Sequence, residues 1–203
     1  MIHYSLMPSP IGPLLLVAEG GALTGVYMEE HKRGRQVDPA WMRDDASLGF
    51  ARVQLEEYFA GVRRKFDLPL AARGTPFQKK VWAALGEIPY GTTATYRELA
   101  RAIGMPGSSR AVGAANARNP ISIIVPCHRV IGTDGSLTGY AGGAERKRWL
   151  LEFEKHAQAA FGWMAASPAA PNRRGTRRHR PGGIAPPGPV DANLLPVGTR
   201  RRT

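Results

Sequence analysis

The 203-residue chain holds one cysteine, in the run Ile123-Ile124-Val125-Pro126-Cys127-His128-Arg129-Val130. A sulfur nucleophile, an imidazole base and a guanidinium are consecutive there, which is the material of thiolate chemistry. A lone cysteine can equally be a small buried hydrophobe with an inert thiol. Pro126 would interrupt a central strand ladder and His128 is a poor core filler, so the thiol is expected where a strand ends and a pocket begins. A thiol with a pKa of about 8.5 is only a few per cent ionised near neutrality and needs a base in reach or a positive environment. Consecutive strand residues point to opposite faces, so His128 would reach Cys127 only through a turn or a bridging water. Glu154, on a downstream helix, is the candidate to orient the imidazole and complete a Cys–His–Glu relay. The competing roles are a hydrogen-bonded structural His128 and a surface carboxylate at Glu154.

Composition narrows the setting of this thiol. One cysteine excludes an internal disulfide framework and a thiolate-rich zinc site, and it fits a reducing compartment. No basic stretch followed by an apolar run opens the sequence, and no run of about 20 apolar residues could span a membrane, so a soluble cytoplasmic protein is expected. The net charge of +12 is uneven: residues 1–72 sum to −1, residues 73–155 to +6 and residues 156–203 to +7. The middle excess surrounds Cys127 and has the look of a footprint for a polyanion, against the alternative of an ordinary solvated basic surface.

The elements that must position these residues are legible in outline. Tyr4–Leu6, Leu14–Ala18 and Leu23–Tyr27 are short apolar segments separated by glycine and proline, as in hairpin-linked strands. His31–Asp45 is polar and expected to loop. Ala51, Leu55, Tyr58 and Phe59 recur at helical spacing before Gly61, and Phe66–Pro69 is a candidate edge strand. Thr75-Pro76 is a cap followed by proline at the first helical position, opening a helix with Phe77, Val81, Trp82 and Leu85 on its apolar face. Thr95 caps a second helix carrying Tyr96, Leu99, Ala100 and Ile103. Ser108 or Ser109 caps a third, through Arg110, Val112, Ala114 and Ala115. The last pair reads as a helix-turn-helix. Its Ala/Gly-rich composition suits either close approach to a surface or close packing against another helix. Ile121–Val125 is expected to be the buried strand that delivers Cys127, Gly132–Gly143 a loop, and Glu145–Glu154 a helix burying Trp149, Leu150 and Phe153. Three segments follow: a small α/β lobe over 1–72, a DNA-binding and active-site lobe over 73–156, and an Arg/Pro-rich tail over 157–203. The tail is expected to be disordered, with Phe161, Trp163 and Met164 docking locally.

Pro126-Cys127-His128-Arg129-Val130, with Asn119-Pro120 upstream and Gly139-Tyr140-Ala141-Gly142-Gly143 downstream, resembles the active-site signature of the O6-alkylguanine-DNA alkyltransferase family, bacterial in type. The match runs from Thr75 to about Glu154. The resemblance implies a ribonuclease-H-like small sheet plus helix, then a mostly helical, winged helix-turn-helix-like lobe. It implies a monomer that binds double-stranded DNA through the minor groove, flips out an alkylated guanine and takes the alkyl group irreversibly onto Cys127. O4-alkylthymine is a second substrate class it leaves open. His128 would act through a water with Glu154, and Tyr96 would protonate guanine N3. Arg110 would enter the base stack, with Ser109, Ala111, Gly113 and Ala114 against the groove. Asn119 would tie the helix-turn-helix to the active-site segment, and Tyr140 would wall the base pocket. The Ala141 N–H would face guanine O6, and the Cys127 and Val130 carbonyls would accept from its amine. Lys147 matches a lysine near the pocket. Ser122 and Ala141 replace a proline and a serine of some relatives. No cofactor and no metal are expected, since the N-terminal zinc-binding cysteines of certain members are missing here.

Three rival readings remain at this level. A noncatalytic alkylguanine-sensing binder would lack the reactive cysteine. A Cys–His–Glu hydrolase would need an oxyanion hole and multiple turnovers. A plain helix-turn-helix module explains the charge and residues 95–117 but leaves Cys127, Tyr96 and Tyr140 idle.

Overall fold

The computed structural model describes residues 1–29 and 37–165, with side chains through residue 159. The described residues belong to one compact unit. Strands β1 (Ile2–Met7), β2 (Leu14–Glu19) and β3 (Ala22–Met28) make an antiparallel meander. A two-residue strand β4 (Met42–Arg43) joins parallel to β1, giving the order β3-β2-β1-β4. This last strand corrects the expectation of an unbroken loop from His31 to Asp45. It is held by two parallel pairs, His3 with Met42 and Tyr4 with Arg43, and by the Asp44 N–H donating to the Tyr4 carbonyl, contacts no local pattern encodes. Phe66–Pro69 forms no strand: Leu70 makes only an isolated bridge to Leu23.

Strand alternation splits the apolar residues between two faces. Leu14, Leu16, Leu23, Val26 and Met28 face the main core, where α1 (Gly49–Phe59) lays down Ala51, Leu55 and Tyr58. Leu15, Val17 and Tyr27 form a second cluster with Ile2, Tyr4 and Trp41 on the other face. With both faces covered, β2 reads as a continuous apolar run rather than an alternating one.

The second lobe follows its capping signals closely. Helix α2 (Pro76–Gly86) starts at a full Thr75/Gln78 capping box, and α3 (Tyr96–Ala102) at a Thr95/Glu98 box. Helix α4 (Ser109–Asn116) begins after Ser108, as expected, but no side chain caps it. It buries Val112, Ala115 and Asn116, while Arg110, Ala111 and Ala114 are exposed. Trp82 closes the α2–α4 contact by donating its indole N–H to the Ala115 carbonyl at 2.9 Å.

The principal correction concerns the segment before the cysteine. Ile121–Val125 is not a strand. Only Ile121 bridges to Val26, and the chain then turns back, with Ile123 at φ 73° and fully buried. A short buried apolar run cannot be assigned to strand or turn by periodicity alone. Asn119 decides it: its Nδ2 donates to the carbonyls of Val125 (2.8 Å) and Ile121 (3.4 Å), and its Oδ1 accepts from Ile121 N. The left-handed β-branched residue costs about 1–3 kcal/mol, which those bonds and complete burial offset. Cys127 therefore lies in a single 3-10 turn, Cys127–Arg129, followed by β6 (Val130–Ile131). Strand β6 pairs in parallel with β5 (Ala94–Thr95), which leads directly into α3. One small ladder thus sets Tyr96 beside the cysteine turn.

Helix α5 runs Ala144–Ala165, well beyond the expected stop near Glu154. Its extension is rich in alanine and free of proline, so propensity continues the helix where the apolar pattern thins. Leu150 is buried, whereas Trp149 and Phe153 are half-buried and stack at 5.1 Å. The tail expected to be disordered from residue 157 is thus helical as far as Ala165. The docking expected of Phe161, Trp163 and Met164, and the disorder expected of residues 166–203, lie outside the described side chains and residues.

Replacing Asn119 by Ala should leave three buried backbone groups without these partners, at about 1–3 kcal/mol each where no water substitutes. Urea unfolding of N119A should show a loss of at least about 2 kcal/mol, a large share of the stability of a domain this size. A change under about 0.5 kcal/mol would show that Asn119 does not hold the turn.

Candidate active site

Three elements converge on a carboxylate carried by a fourth. Glu154, from the middle of α5, is fully buried and accepts five hydrogen bonds. Its Oε1 takes the Tyr58 hydroxyl at 2.8 Å, His128 Nε2 at 2.9 Å and Arg129 Nη2 at 2.9 Å. Its Oε2 takes Arg129 Nε at 2.9 Å and the Gly91 backbone N–H at 3.0 Å. Gly91 sits at φ 71°, and a Cβ there would strike the Gln158 side chain, so only glycine suits this turn. Arg129 Nη1 donates to the Ile88 carbonyl at 2.7 Å, and the guanidinium lies over the Tyr90 ring.

Charge settles the imidazole tautomer. Burial pushes the Glu154 carboxyl up, but hydrogen bonds and charge from His128 and Arg129 outweigh it and leave it far below the usual carboxylate range. An ionised carboxylate only accepts, so His128 Nε2 carries the hydrogen and Nδ1 presents its lone pair. Nδ1 is buried and makes no hydrogen bond within the protein. Burial holds His128 below its ordinary pKa, against the upward pull of Glu154. The ring is thus neutral near pH 7, with one free acceptor nitrogen in the same turn as the thiol.

Cys127 is only 4% exposed. Burial pushes its thiol up from the ordinary value, while Asn119 and Lys147 draw it down. The resting sulfur is therefore a protonated thiol. Tyr96 is half-buried at the start of α3; its hydroxyl donates to the Thr138 carbonyl at 2.9 Å, and burial raises it to about 12. Gly139 stands at φ 75° where any Cβ would meet that hydroxyl. Tyr140 is buried edge-on to His128, its hydroxyl directed at Met28 Sδ, 3.7 Å away. Lys147 is fully buried, donates to the carbonyls of Val130 (2.6 Å) and Thr138 (3.0 Å), and is lowered by burial to about 8. The Val130 carbonyl expected to receive a base amine thus already accepts from Lys147, and the Cys127 carbonyl from Asn116 Nδ2 at 3.4 Å. Ala141 is half-buried in the loop beside Tyr140.

The structure therefore gathers Cys127, His128, Glu154, Tyr96, Asn119, Val130, Tyr140 and Lys147 around one turn. Ser109, Arg110, Ala111, Gly113 and Ala114 lie on α4, which touches this centre through Asn116. A Cβ at Gly113 would make only ordinary contact with Tyr96, so internal packing does not require glycine there. Sequence reasoning missed Arg129, Tyr58, Gly91 and Asn116 as members of the site. Arg129 stood inside the signature, and its buried pairing was the one signal available; the others are brought in by tertiary contact. Among the described residues, no group of three or more His, Cys, Asp or Glu could hold a metal ion, and no helix is long and apolar enough to cross a membrane.

Comparison with known proteins agrees with this geometry. Residues 76–156 match the family described as 6-O-methylguanine DNA methyltransferase, DNA binding domain, and residues 2–72 its ribonuclease-like domain. The chain is 53% identical over 158 residues to the methylated-DNA–protein-cysteine methyltransferase of Mycobacterium tuberculosis, covering 76% of this chain and 93% of that one. It is 52% identical over 153 residues to that of Methanosarcina acetivorans, covering 75% and 98%. The crystal structure of Mycobacterium tuberculosis OGT in complex with DNA superposes with a TM-score of 0.72 at 52% identity, covering 76% of this chain and 94% of that one.

Replacing Glu154 by Gln should leave Arg129 buried without its counter-charge and cost about 3–5 kcal/mol in urea unfolding. The pH dependence has a defined sign. His128 and Glu154 are both held below their unfolded values, so their contribution is complete above about pH 6.5 and is lost as pH falls through the histidine and then the carboxylate range. Wild-type stability should decline below about pH 6.5. E154Q should remove the carboxylate part of that decline, below about pH 4.3, and leave the histidine part in place, and an unchanged slope below about pH 4.3 would refute the assignment.

Proposed function

Because the chain belongs to the 6-O-methylguanine DNA methyltransferase family, we propose that Cys127 is the alkyl acceptor and His128, through one water, its base. The protein is a direct-reversal alkyltransferase that moves an alkyl group from DNA to a cysteine. One observation carries the assignment of roles: Glu154 locks the His128 Nε2 hydrogen and leaves the buried Nδ1 free, on the residue that directly follows the only cysteine. In this reading the Cys127 sulfur attacks the alkyl carbon attached to guanine O6. The carbon–sulfur bond forms as the carbon–O6 bond breaks, and the thiol proton passes through the water to Nδ1. Tyr96, still protonated at neutral pH, gives a proton to N3, so guanine leaves uncharged. The thioether has no route back to thiol, and each molecule acts once.

The DNA-facing part of the reading rests on α4. Its exposed Arg110, Ala111 and Ala114 form a narrow face with one cation, suited to close approach in a minor groove, with Arg110 filling the gap left by the flipped nucleotide. Tyr140 and the Ala141 backbone would line the base site, once Lys147 and Asn116 cede the Val130 and Cys127 carbonyls to the base amine. The proposed working form is a monomer in the reducing cytoplasm, where an unpaired thiol survives.

Incubation with duplex containing O6-methylguanine should add one methyl group per protein molecule, on the Cys127 peptide, as read by intact and peptide mass spectrometry. C127A should bind the duplex and accept nothing. More than one equivalent repaired per molecule would exclude the single-use mechanism. R110A should slow the reaction with duplex far more than with free O6-methylguanine base, since only the duplex must be unstacked, at a few kcal/mol. Equal losses on both substrates would remove Arg110 from base extrusion.

A further inference from the structure

The N-terminal lobe has no part in the chemistry as described so far, yet it reaches the relay at one atom. Tyr58, at the end of α1, is fully buried and donates its hydroxyl to Glu154 Oε1 at 2.8 Å across 96 residues of sequence. That oxygen is the same one that accepts His128 Nε2 and Arg129 Nη2. The ring is locked by edge contacts to Phe59, Tyr90 and Phe153 and a tilted contact to Phe66, so the hydroxyl has one direction to point. We propose that Tyr58 is a positioning residue for alkyl transfer, through which the N-terminal lobe sets the proton affinity of His128.

The argument is electrostatic. Three donors on one carboxylate oxygen divide its electron density, and each weakens what remains for the others. A strong Glu154–His128 bond stabilises the imidazolium, while a shared one favours the neutral ring. By donating to Oε1, Tyr58 keeps the carboxylate ionised but makes it a weaker partner for His128. It also fixes the rotation of the carboxylate, so that Oε1 rather than Oε2 faces the imidazole. Burial raises the Tyr58 phenol well above its ordinary range, with the Glu154 charge adding to it, so the phenol stays a donor at every working pH. The other groups facing this pair are Arg129 in the 3-10 turn, Lys147 on α5, Cys127, and the phenols of Tyr90 and Tyr140. None of them donates to Oε1 apart from Arg129, which is already spread over both carboxylate oxygens.

This inference rests on the reading of His128 as the proton acceptor, and the test separates the two. In Y58F, the His128 ring titration, followed by NMR in the DNA-free protein, should move up by about one unit, the ordinary spread that neighbouring groups impose. The acid limb of the single-turnover transfer rate, measured at saturating methylated duplex, should move up by the same amount. A lowered Tm with both titrations unchanged would overturn the proposal and leave Tyr58 as packing. A shifted ring titration with an unshifted rate profile would uphold the Tyr58 coupling and instead refute His128 as acceptor. Should Y58F fail to fold, 3-fluorotyrosine placed at position 58 keeps the ring and strengthens the donor. Both titrations should then move downward, and an absent or upward shift overturns the proposal.

Discussion

A single buried negative charge organises this protein. A carboxylate removed from water costs several kcal/mol unless its lone pairs are filled. Glu154 fills them from α1, the turn after α2, the 3-10 turn and a guanidinium. Each donor is thereby tied to the others. Arg129 must be buried to neutralise Glu154, and burying it demands the Ile88 carbonyl and the Tyr90 face. His128 must present Nε2, which leaves Nδ1 without a hydrogen bond, the position the proposed mechanism uses for the thiol proton. The stability of the centre and its readiness for proton transfer follow from the same five bonds.

The nucleophile is built by the opposite tactic. Cys127 is kept buried as a thiol rather than exposed as a thiolate, with cationic and amide groups near enough to favour charge once it develops. A permanently ionised thiol would be open to oxidation. In the proposed mechanism the thiol ionises only as the substrate consumes the sulfur. Such restraint would then protect the one group that cannot be replaced.

The two lobes also divide the physics. Helix α4 meets solvent with small side chains and one arginine on one face, and on the other carries Asn116 to the Cys127 carbonyl. Force applied where DNA would bind is therefore one side chain away from the reacting turn. The sheet lobe grips the segment that leads into this turn, through the Val26 amide on the Pro120 carbonyl and the Ser122 amide on the Val26 carbonyl.

What the sequence determined by itself was everything written in short-range code. The Thr75 and Thr95 caps, the three-stranded meander and the exposed face of α4 all depend on neighbours within a few residues. Cys127 and His128 stood out because a lone cysteine beside histidine and arginine is chemically singular, and the signature they form resembles that of the family the chain belongs to. The tertiary structure alone decided how Ile121–Val125 folds, because a buried apolar run is compatible with strand or turn until Asn119 claims its carbonyls. It also decided that Arg129 and Tyr58 meet Glu154. Helical and strand periodicity report which face is buried and not which polar group waits there, so a hydrogen bond spanning 96 residues leaves no mark on the local pattern.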